Sequence, residues 1–529
     1  MIRHLLILLI CFPLWINAQT KAKAPKILPY TSDEVKEAKS EGALYFKDMN
    51  YLQALKIYER LVVTDPNDAE YNFKLGMCYL NTNINKGKSV AYLEYAANSN
   101  AKERPKDVLF ELGKAYHYAG LFDQALETFE KFRVEKKGSV DAKLKFDSWV
   151  SWSNNAKTLT STPVPCTFEN MGKSINTPSP DYRPLVGAAD TIIYFSSKRK
   201  GNAGGLTDDF GDIPSDIYFF IQTDTARSKA KSVGTTVNTA FYEEGLFLSM
   251  NGDKMLIYRE GPEANGDIYI SQLQGKQWSA PVILGKDFET KALETGATLS
   301  PDGLTLFFAA ESLDGKTGKD IYRCTRSEST SWSKPERLGD NINTKGDEDA
   351  PYLWLDGKTF FFSSTGHNSM GGYDVFKAIM NDPREGLGTA ENLGYPINSV
   401  YDNMGVAVLA DGKTFYTAAV RDSGLGDYDI YKVTCEKVIT ASALTWLEAR
   451  AFTNVGSAAK GADVIITDAT SGATVANLTT NDASGRFDAA LPKGTYKVVL
   501  RHAKYGKTEA EITVDPDTMY KTVLELIFP

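Results

Sequence analysis

The chain carries the stretch "WSKPERLGDNINTKGDED" at residues 332–349 and a near copy, "WSAPVILGKDFETKALET", at residues 278–295. A shorter variant, "TAENLG", ends at Gly394. Charged, glycine-containing segments of this kind are ordinarily surface loops, and a surface loop alone has no physical reason to recur. The repetition therefore indicates a structural unit that occurs several times along the chain.

The tripeptide Asp-Ile/Val-Tyr/Phe marks every copy of this unit, at spacings of 51, 53, 54 and 55 residues. Before the tripeptide, a turn leads into an apolar strand such as "LTLFFAA". Each unit predicts four short strands separated by turns, and four strands recurring about every 40–55 residues are typical of a β-propeller blade. The repeated stretch is then the outer strand of one blade and the crossover to the next. The five aspartates are Asp216, Asp267, Asp320, Asp374 and Asp429.

Five blades must be closed into a ring, and two incomplete segments indicate how. The segment "VPCTFENMGKSINTPSPD", from Val164, has the outer-strand pattern but no blade of its own, and the last copy, "DYDIYKVTCEK", stops after its third strand. We predict that the first segment completes the fifth blade, which removes open strand edges. The pattern resembles the WD40-like repeats of TolB-type propellers, and we assign a five-bladed propeller to residues 163–437.

This assignment places Cys166 and Cys435 on adjacent strands, where facing residues lie about 4.5–5.5 Å apart at Cα, within reach of a disulfide. The bond would close a loop of about 270 residues. The alternative is two free, buried cysteines one register apart, because strand positions read from a sequence err by about 2–4 residues. The chain has no Cys-x-x-Cys pair, so we predict no zinc site.

Residues 30–159 have helical apolar spacing and a self-similar period. Gly42, Gly76 and Gly113 are each followed three residues later by a tyrosine. Small residues let paired helices approach closely, and the aromatic rings fill the space between pairs. The pattern resembles the tetratricopeptide repeat in three copies, capped by a helix in "VDAKLKFDSWVSWSNNAKTL". The resemblance implies a concave groove that holds a partner segment.

Two sets of residues are candidate binding sites. Aromatic, methionine and basic side chains on the first helix of each pair suit a bound peptide, unless the capping helix or the N-terminal tail fills the groove. A mostly acidic ring at the starts of the innermost propeller strands would attract a cation or basic peptide, unless each carboxylate only fixes its crossover turn. The groove residues are Phe46, Phe73, Met77, Phe110, Lys114 and His117, and the rim residues are Asp181, Glu243, Glu294, Glu348 and Asn403.

Residues 443–529 alternate apolar and polar residues between Gly, Asn and Asp turns, which predicts a small antiparallel sandwich. The stretches "GADVIITDATSG" and "LPKGTYKVVL" resemble the carboxypeptidase regulatory-like domain, which has a transthyretin-like fold. The predicted fold class is therefore multidomain: an all-α helical repeat, a five-bladed β-propeller and a small transthyretin-like β-sandwich.

The first residues indicate export. A basic start, an apolar run and Ala18 have the layout of a signal peptide over residues 1–18. Cys11 is the alternative, as a lipid-attachment site, but it follows the bulky Ile10 where a small residue is expected. The net charge of −8 lacks the basic footprint of a nucleic-acid-binding protein, and no later stretch has the length and apolarity of a membrane span.

The sequence offers little chemistry. Beyond residue 18 the histidines are His117, His367 and His502, one in each predicted domain, and neither an HExxH, a P-loop nor an EF-hand motif occurs. We therefore predict no catalytic, cofactor-binding or metal-binding residues and a non-enzymatic protein. A hydrolase with its site on the blade loops is the enzymatic alternative.

The order of export signal, tetratricopeptide repeats, WD40-like propeller and regulatory-like sandwich is similar to PorE-like proteins of Bacteroidota, cell-envelope components associated with the type IX (gliding-linked) secretion system. The resemblance implies a periplasmic scaffold for envelope or secretion-system proteins at the inner side of the outer membrane. Such proteins usually end in an OmpA-like domain, which this sequence lacks, so we do not expect it to bind peptidoglycan directly. The alternative function is a glycan- or peptide-binding propeller in nutrient uptake or envelope sensing.

Overall fold

The structure is a computed structural model that describes residues 27–529, apart from residues 101, 103, 189–190, 206, 208–212, 224, 261–265, 285–291, 314, 316, 328–330, 383–385, 481–483 and 517–520. The predicted signal peptide and Cys11 lie outside the described residues. Within the described part, none of the helices combines the length and apolarity that crossing a membrane requires.

The N-terminal part is an array of helices in which each helix packs on the next one in the chain. Polar caps begin several of them: the Asp68 carboxylate, for example, accepts a hydrogen bond from the Tyr71 amide at 2.9 Å. A Cβ atom at Gly113 would lie 2.5 Å from the Phe129 ring, so this glycine permits the close helix contact that its spacing predicts. The helices are α1 (Ser32–Lys47), α2 (Tyr51–Thr64), α3 (Ala69–Leu80), α4 (Ser89–Ala97), α5 (Val108–Tyr118), α6 (Phe122–Glu135) and α7 (Phe146–Ser161).

A large β-rich part follows, built from short strands in antiparallel sheets. The strands are β1 (Cys166–Asn170), β2 (Asp181–Val186), β3 (Ile192–Ser197), β4 (Asp216–Ile221), β5 (Lys231–Ser232), β6 (Glu243–Leu248), β7 (Lys254–Glu260), β8 (Gly266–Gln274), β9 (Gln277–Trp278), β10 (Val282–Ile283), β11 (Glu294–Leu299), β12 (Thr305–Glu311), β13 (Lys319–Thr325), β14 (Glu336–Arg337), β15 (Glu348–Leu353), β16 (Thr359–Ser364), β17 (Asp374–Asp382), β18 (Gly386–Leu387), β19 (Glu391–Asn392), β20 (Ala407–Val408), β21 (Thr414–Ala419) and β22 (Asp429–Cys435).

Each sheet is formed by strands close in sequence, with one exception. The first four sheets run β2-β3-β4-β5, β6-β7-β8-β10, β11-β12-β13-β14 and β15-β16-β17-β18, with β9 paired to β8 and β19 to β17. The fifth sheet runs β20-β21-β22-β1, so the segment from Val164 supplies its last strand, as the sequence predicts. In this pairing Cys166 faces Cys435, and a disulfide joins them.

Apolar clusters lie between each consecutive pair of sheets, and another lies between the fifth sheet and the first. Between the third and fourth sheets, for example, the rings of Phe307 and Phe360 are 5.0 Å apart. Sheets that pack face to face in a closed order form a propeller-like body, the name used below for β1–β22.

The C-terminal part has two further sheets, β26-β23-β29 and β25-β24-β27-β28. Leu447, Val464, Phe487 and Val498 are fully buried in its apolar core. The last strand runs parallel to β23, whereas the sequence predicts antiparallel pairing throughout. The strands are β23 (Thr445–Phe452), β24 (Asp463–Asp468), β25 (Thr474–Thr479), β26 (Arg486–Leu491), β27 (Gly494–His502), β28 (Gly506–Val514) and β29 (Lys521–Ile527).

The helical array and the C-terminal sheets cover opposite ends of the propeller-like body. Antiparallel order places the crossovers and the loops between second and third strands at one end, and the turns between first and second strands at the other. At the first end Asn83 donates to the Asp427 carboxylate at 2.7 Å and the Trp152 indole donates to the Thr365 carbonyl at 3.0 Å. At the second end Asn251 donates to the Thr479 carbonyl at 3.0 Å.

We predict that loss of the Cys166–Cys435 bond lowers the free energy of unfolding of the propeller-like body by about 2–5 kcal/mol, because the bond closes a loop between residues 269 positions apart. Cys166→Ala, Cys435→Ala and the double variant should be destabilised alike, since each loses the same bond. Urea unfolding of the three proteins measures this.

Thiol counting is the independent check. Denatured, unreduced protein beginning after residue 18 should show two free thiols, those of Cys78 and Cys324. Four reactive thiols, or variants whose losses of stability add, would contradict the bond.

Candidate functional site

The capping helix α7 fills the helical groove at the third repeat. Phe110 is only 2% exposed, and its ring lies 6.3 Å from that of Phe146. His117 is fully buried, with its Nδ1 3.0 Å from the Ser153 hydroxyl and its ring 5.5 Å from that of Trp149. The prediction of an open groove at Phe110 and His117 is therefore wrong. In this part of the array the capping helix occupies the groove, as in the alternative.

The other groove residues are divided between two apolar cores. Phe46 packs at the first repeat, and Phe73 and Met77 belong to the same cluster as Phe110. Lys114 pairs with Glu111 at 2.6 Å, and its ammonium lies over the Phe110 ring, 5.2 Å from the centroid. The six residues thus do not form one continuous partner-binding face, because α7 offers nearer apolar partners.

The predicted rim residues are structural. Asp181, Glu243, Glu294 and Glu348 begin innermost strands as expected, but all five side chains are buried. Those of Glu243 and Glu348 accept the amide four residues earlier, from Thr239 at 2.7 Å and Thr344 at 2.8 Å. Asp181 and Asn403 make the same bond to Thr177 at 2.6 Å and Ser399 at 2.7 Å. A cation-attracting rim at these positions is wrong because all five side chains are buried, and the turn-fixing alternative is correct for Asp181, Glu243, Glu348 and Asn403.

A cavity of about 630 Å³ opens at the same end of the propeller-like body. Its inner wall is formed by the residue that follows each predicted rim residue, because successive side chains of a strand point to opposite faces. The residues that line the cavity therefore lie at the predicted level of the strands but on the opposite face. The five inner-wall residues are Tyr182, Glu244, Thr295, Asp349 and Met404.

Two ion pairs form the floor of this cavity. Arg183 Nε lies 2.8 Å from Glu244 Oε2, and Lys319 Nζ lies 3.0 Å from Asp349 Oδ2. Burial alone would raise the pKa of Asp349, but Lys319 and Arg183 hold that pKa below its ordinary value. The floor is thus a fixed set of ionised groups contributed by the first four sheets.

Arg183 has an unusual backbone. Its φ is 50°, in the left-handed region that non-glycine residues rarely adopt. The corresponding residues of the other innermost strands are Gly245, Gly296, Ala350 and Gly405, and Ala350 has nearly the same φ, 48°. The backbone conformation is therefore shared with another strand, and Arg183 differs from its counterparts in its long side chain.

Tyrosines and further carboxylates form the walls. Tyr182, Tyr242, Tyr258, Tyr373 and Tyr428 all line the cavity. Burial raises the pKa of Tyr258 to about 12 and that of Tyr373 further, so both hydroxyls stay neutral. Glu260, Asp402 and Asp427 complete the walls, with Asn83 of the helical array at the lip. Among the described residues no group of histidine, cysteine and acidic side chains has a metal-binding arrangement.

A family model of the tetratricopeptide repeat matches residues 107–135, which span α5 and α6. A comparison with curated proteins finds no match. Similar solved structures include TolB from Acinetobacter baumannii, at 16% identity over 49% of this chain and 55% of that chain, with a TM-score of 0.30. This chain therefore spans about half the length of that protein.

Two other solved structures are similar over nearly their whole length. Putative TolB from Agrobacterium tumefaciens has 14% identity over 62% of this chain and 99% of that chain, with a TM-score of 0.30. A thermostable family-43 glycoside hydrolase has 12% identity over 51% of this chain and 96% of that chain, with a TM-score of 0.35. These likenesses are loose, and the closed order of antiparallel sheets is seen in the structure itself.

We predict that Phe110→Ala destabilises the helical array by about 3–5 kcal/mol, because it removes a buried ring. This reverses the expectation for an open groove, in which the change would leave unfolding nearly unaffected. Phe73→Ala is the matched control, since Phe73 holds the same repeat position but is only partly buried, and should cost about 1–2 kcal/mol. Urea unfolding followed by the fluorescence of Trp149 and Trp152 measures both; equal effects would contradict the burial.

The stability of the array should depend on pH through His117. Burial lowers the pKa of His117 from 6.5 to about 3, so the unfolded chain takes up a proton that the folded chain refuses. The part of the free energy of unfolding that depends on neutral His117 is fully present above about pH 6.5. Below that value it is lost at about 1.4 kcal/mol per pH unit. His117→Gln removes this loss, so the wild type should lose stability relative to the variant from pH 6.5 to 5. Parallel curves would contradict the prediction.

Proposed function

We propose that this protein is a non-enzymatic scaffold of the cell envelope, exported to the periplasm and associated with the type IX secretion system at the inner side of the outer membrane. In this proposal the helical array is a tetratricopeptide-repeat unit, the propeller-like body is a five-bladed WD40-like propeller, and the C-terminal sheets are a transthyretin-like sandwich of the carboxypeptidase regulatory type. The chain then resembles PorE-like proteins in the order of its parts.

The observation that carries the proposal is the fixed attachment of all three parts. Besides the bonds of Asn83 and Trp152, Asn155 donates to the Ser369 carbonyl at 2.9 Å. At the other end the Asn251 side chain both donates to Thr479 and accepts from the Asp488 amide at 2.8 Å. A body whose parts are tied together at both ends holds its surfaces at constant separation, which suits a scaffold. Tetratricopeptide repeats are protein-interaction modules, and this supports protein partners.

The cavity favours binding over catalysis. Two of its carboxylates, Glu244 and Asp349, are each held in an ion pair, a structural role that does not need a reacting partner. The alternative, a glycan- or peptide-binding protein of nutrient uptake or envelope sensing, is favoured by the five tyrosines, since aromatic rings stack on sugars and on peptide side chains alike. Both functions use the same cavity and differ in the partner.

Capture from envelope extracts distinguishes them. Purified protein beginning after residue 18, with an affinity tag, should enrich components of the secretion system, identified by mass spectrometry against an unrelated exported protein as bait. Enrichment of an outer-membrane importer would instead support the uptake function. Release of sugar from envelope polysaccharide by the purified protein would contradict the non-enzymatic proposal.

A further inference from the structure

We infer that the cavity at the junction of the helical array and the propeller-like body binds an arginine or lysine side chain of an extended peptide segment. This inference rests on the proposed scaffold function and names the chemistry of the segment that the scaffold holds. It concerns the walls of the cavity and not the buried residues of the predicted rim.

The form of the cavity suits a bound ligand. A volume of about 630 Å³ lies in the range of about 300–1,000 Å³ that is usual for ligand sites. The floor is closed by Arg183 and Lys319 with their carboxylate partners. The lip is shared by Asn83 of the helical array and Asp427 of the body, which are hydrogen-bonded to each other. A chain that enters at this lip therefore contacts two of the three parts.

The charge of the lining also favours a basic ligand. The lining contains five carboxylates (Glu244, Glu260, Asp349, Asp402 and Asp427) and three cations (Arg183, Lys198 and Lys319), a net charge of −2. Arg183 and Lys319 form ion pairs with Glu244 and Asp349, respectively. Among the described residues, Glu260, Asp402 and Asp427 form no ion pair closer than 4.0 Å. Like charges that converge in a cleft attract a cation and repel an anion.

The tyrosine rings of the cavity wall favour a cationic ligand as well. A guanidinium or ammonium group is attracted to the face of a tyrosine ring, and a desolvated contact of this kind is stronger than an exposed one. Tyr182 and Tyr428 line the cavity with Tyr242, Tyr258 and Tyr373. Burial raises the pKa of Asp402 although the Tyr373 amide and the Lys86 ammonium act in the opposite direction, so a further cation beside this carboxylate is favourable. A basic side chain can contact the ring faces and pair with the carboxylates at the same time, whereas a neutral sugar can only stack on the rings.

The test compares two blocked hexapeptides by isothermal titration calorimetry on protein beginning after residue 18. One contains two arginines among alanines, and in the other citrulline replaces arginine, which keeps the shape and removes the charge. The arginine peptide should bind at least about tenfold more tightly than the citrulline peptide, a factor equivalent to about 1.4 kcal/mol. Equal affinities, or binding of neither peptide, would overturn the inference.

Variants locate the site. Glu260→Gln with Asp402→Asn should weaken the arginine peptide about tenfold or more, and the changes preserve shape and the acceptor for the Tyr373 amide. Glu311→Gln is the matched control, because Glu311 ends β12 as Glu260 ends β7 but does not line the cavity. Unchanged affinity in the double variant, or tighter binding of a neutral oligosaccharide than of the arginine peptide, would also overturn the inference.

The two proposals fail separately. If the wild type enriches secretion-system proteins but discriminates neither peptide, the scaffold proposal stands and this inference is wrong. If the arginine peptide binds and the double variant loses it, while the wild type enriches no secretion-system protein, the basic-segment site stands and the assigned system is wrong.

Discussion

The pairing of β1 with β22 is the constraint on which the rest of the structure depends. Without it the fifth sheet has an open edge, and the packing between the fifth and first sheets loses its cover. The two strands come from opposite ends of the β-rich part, so no local interaction brings them together, and their pairing pays a large loop entropy. The Cys166–Cys435 bond removes part of that entropy from the unfolded chain. The closed order of sheets is in turn what gives the body two distinct ends, each available to another part of the chain.

Much of this arrangement could be predicted because it is periodic. The recurring aspartates, the glycine turns and the incomplete first and last copies determine which strands share a sheet. They place Cys166 and Cys435 on adjacent strands but leave the register open, and the structure shows the two residues facing each other. The candidate sites were harder to predict from the sequence because successive side chains of a strand point to opposite faces of the sheet. The acidic residues that repeat most regularly, such as Glu243 and Glu348, are those that satisfy buried turns, while the cavity is lined by their less regular neighbours, such as Tyr182 and Met404. Regular repetition in a repeat protein marks structural positions, and binding residues are better sought where the repeat is broken, as at Arg183.

Contacts between parts of the chain could not be predicted at all. The sequence indicates that α7 caps the array, but nothing in its apolar spacing says that Trp152 reaches the Thr365 carbonyl or that Asn155 reaches the Ser369 carbonyl. These contacts depend on how two separately folded parts meet, and each part's own pattern is satisfied without them. The groove is a different case: the sequence leaves a free groove and a groove filled by the capping helix as alternatives, and apolar spacing does not choose between them because Phe110 is apolar in both.

The junction also contains a buried cation, and its cost explains why the junction is specific. Lys86 donates to the Leu80 carbonyl at 2.6 Å and its ammonium lies 4.9 Å from the centre of the Tyr118 ring. Burial lowers the pKa of Lys86 to about 8, although Asp402 and Asp427 act in the opposite direction. A buried charge is tolerated only where opposite charges and hydrogen bonds compensate for lost water. The Leu80 carbonyl and the Tyr118 ring compensate Lys86 within the helical array, and Asp402 and Asp427 add opposite charge only when the array sits over the propeller-like body. The groups that hold the junction together are the same groups that give the cavity its negative charge, so the attachment of the array and the binding property of the cavity arise from one set of side chains.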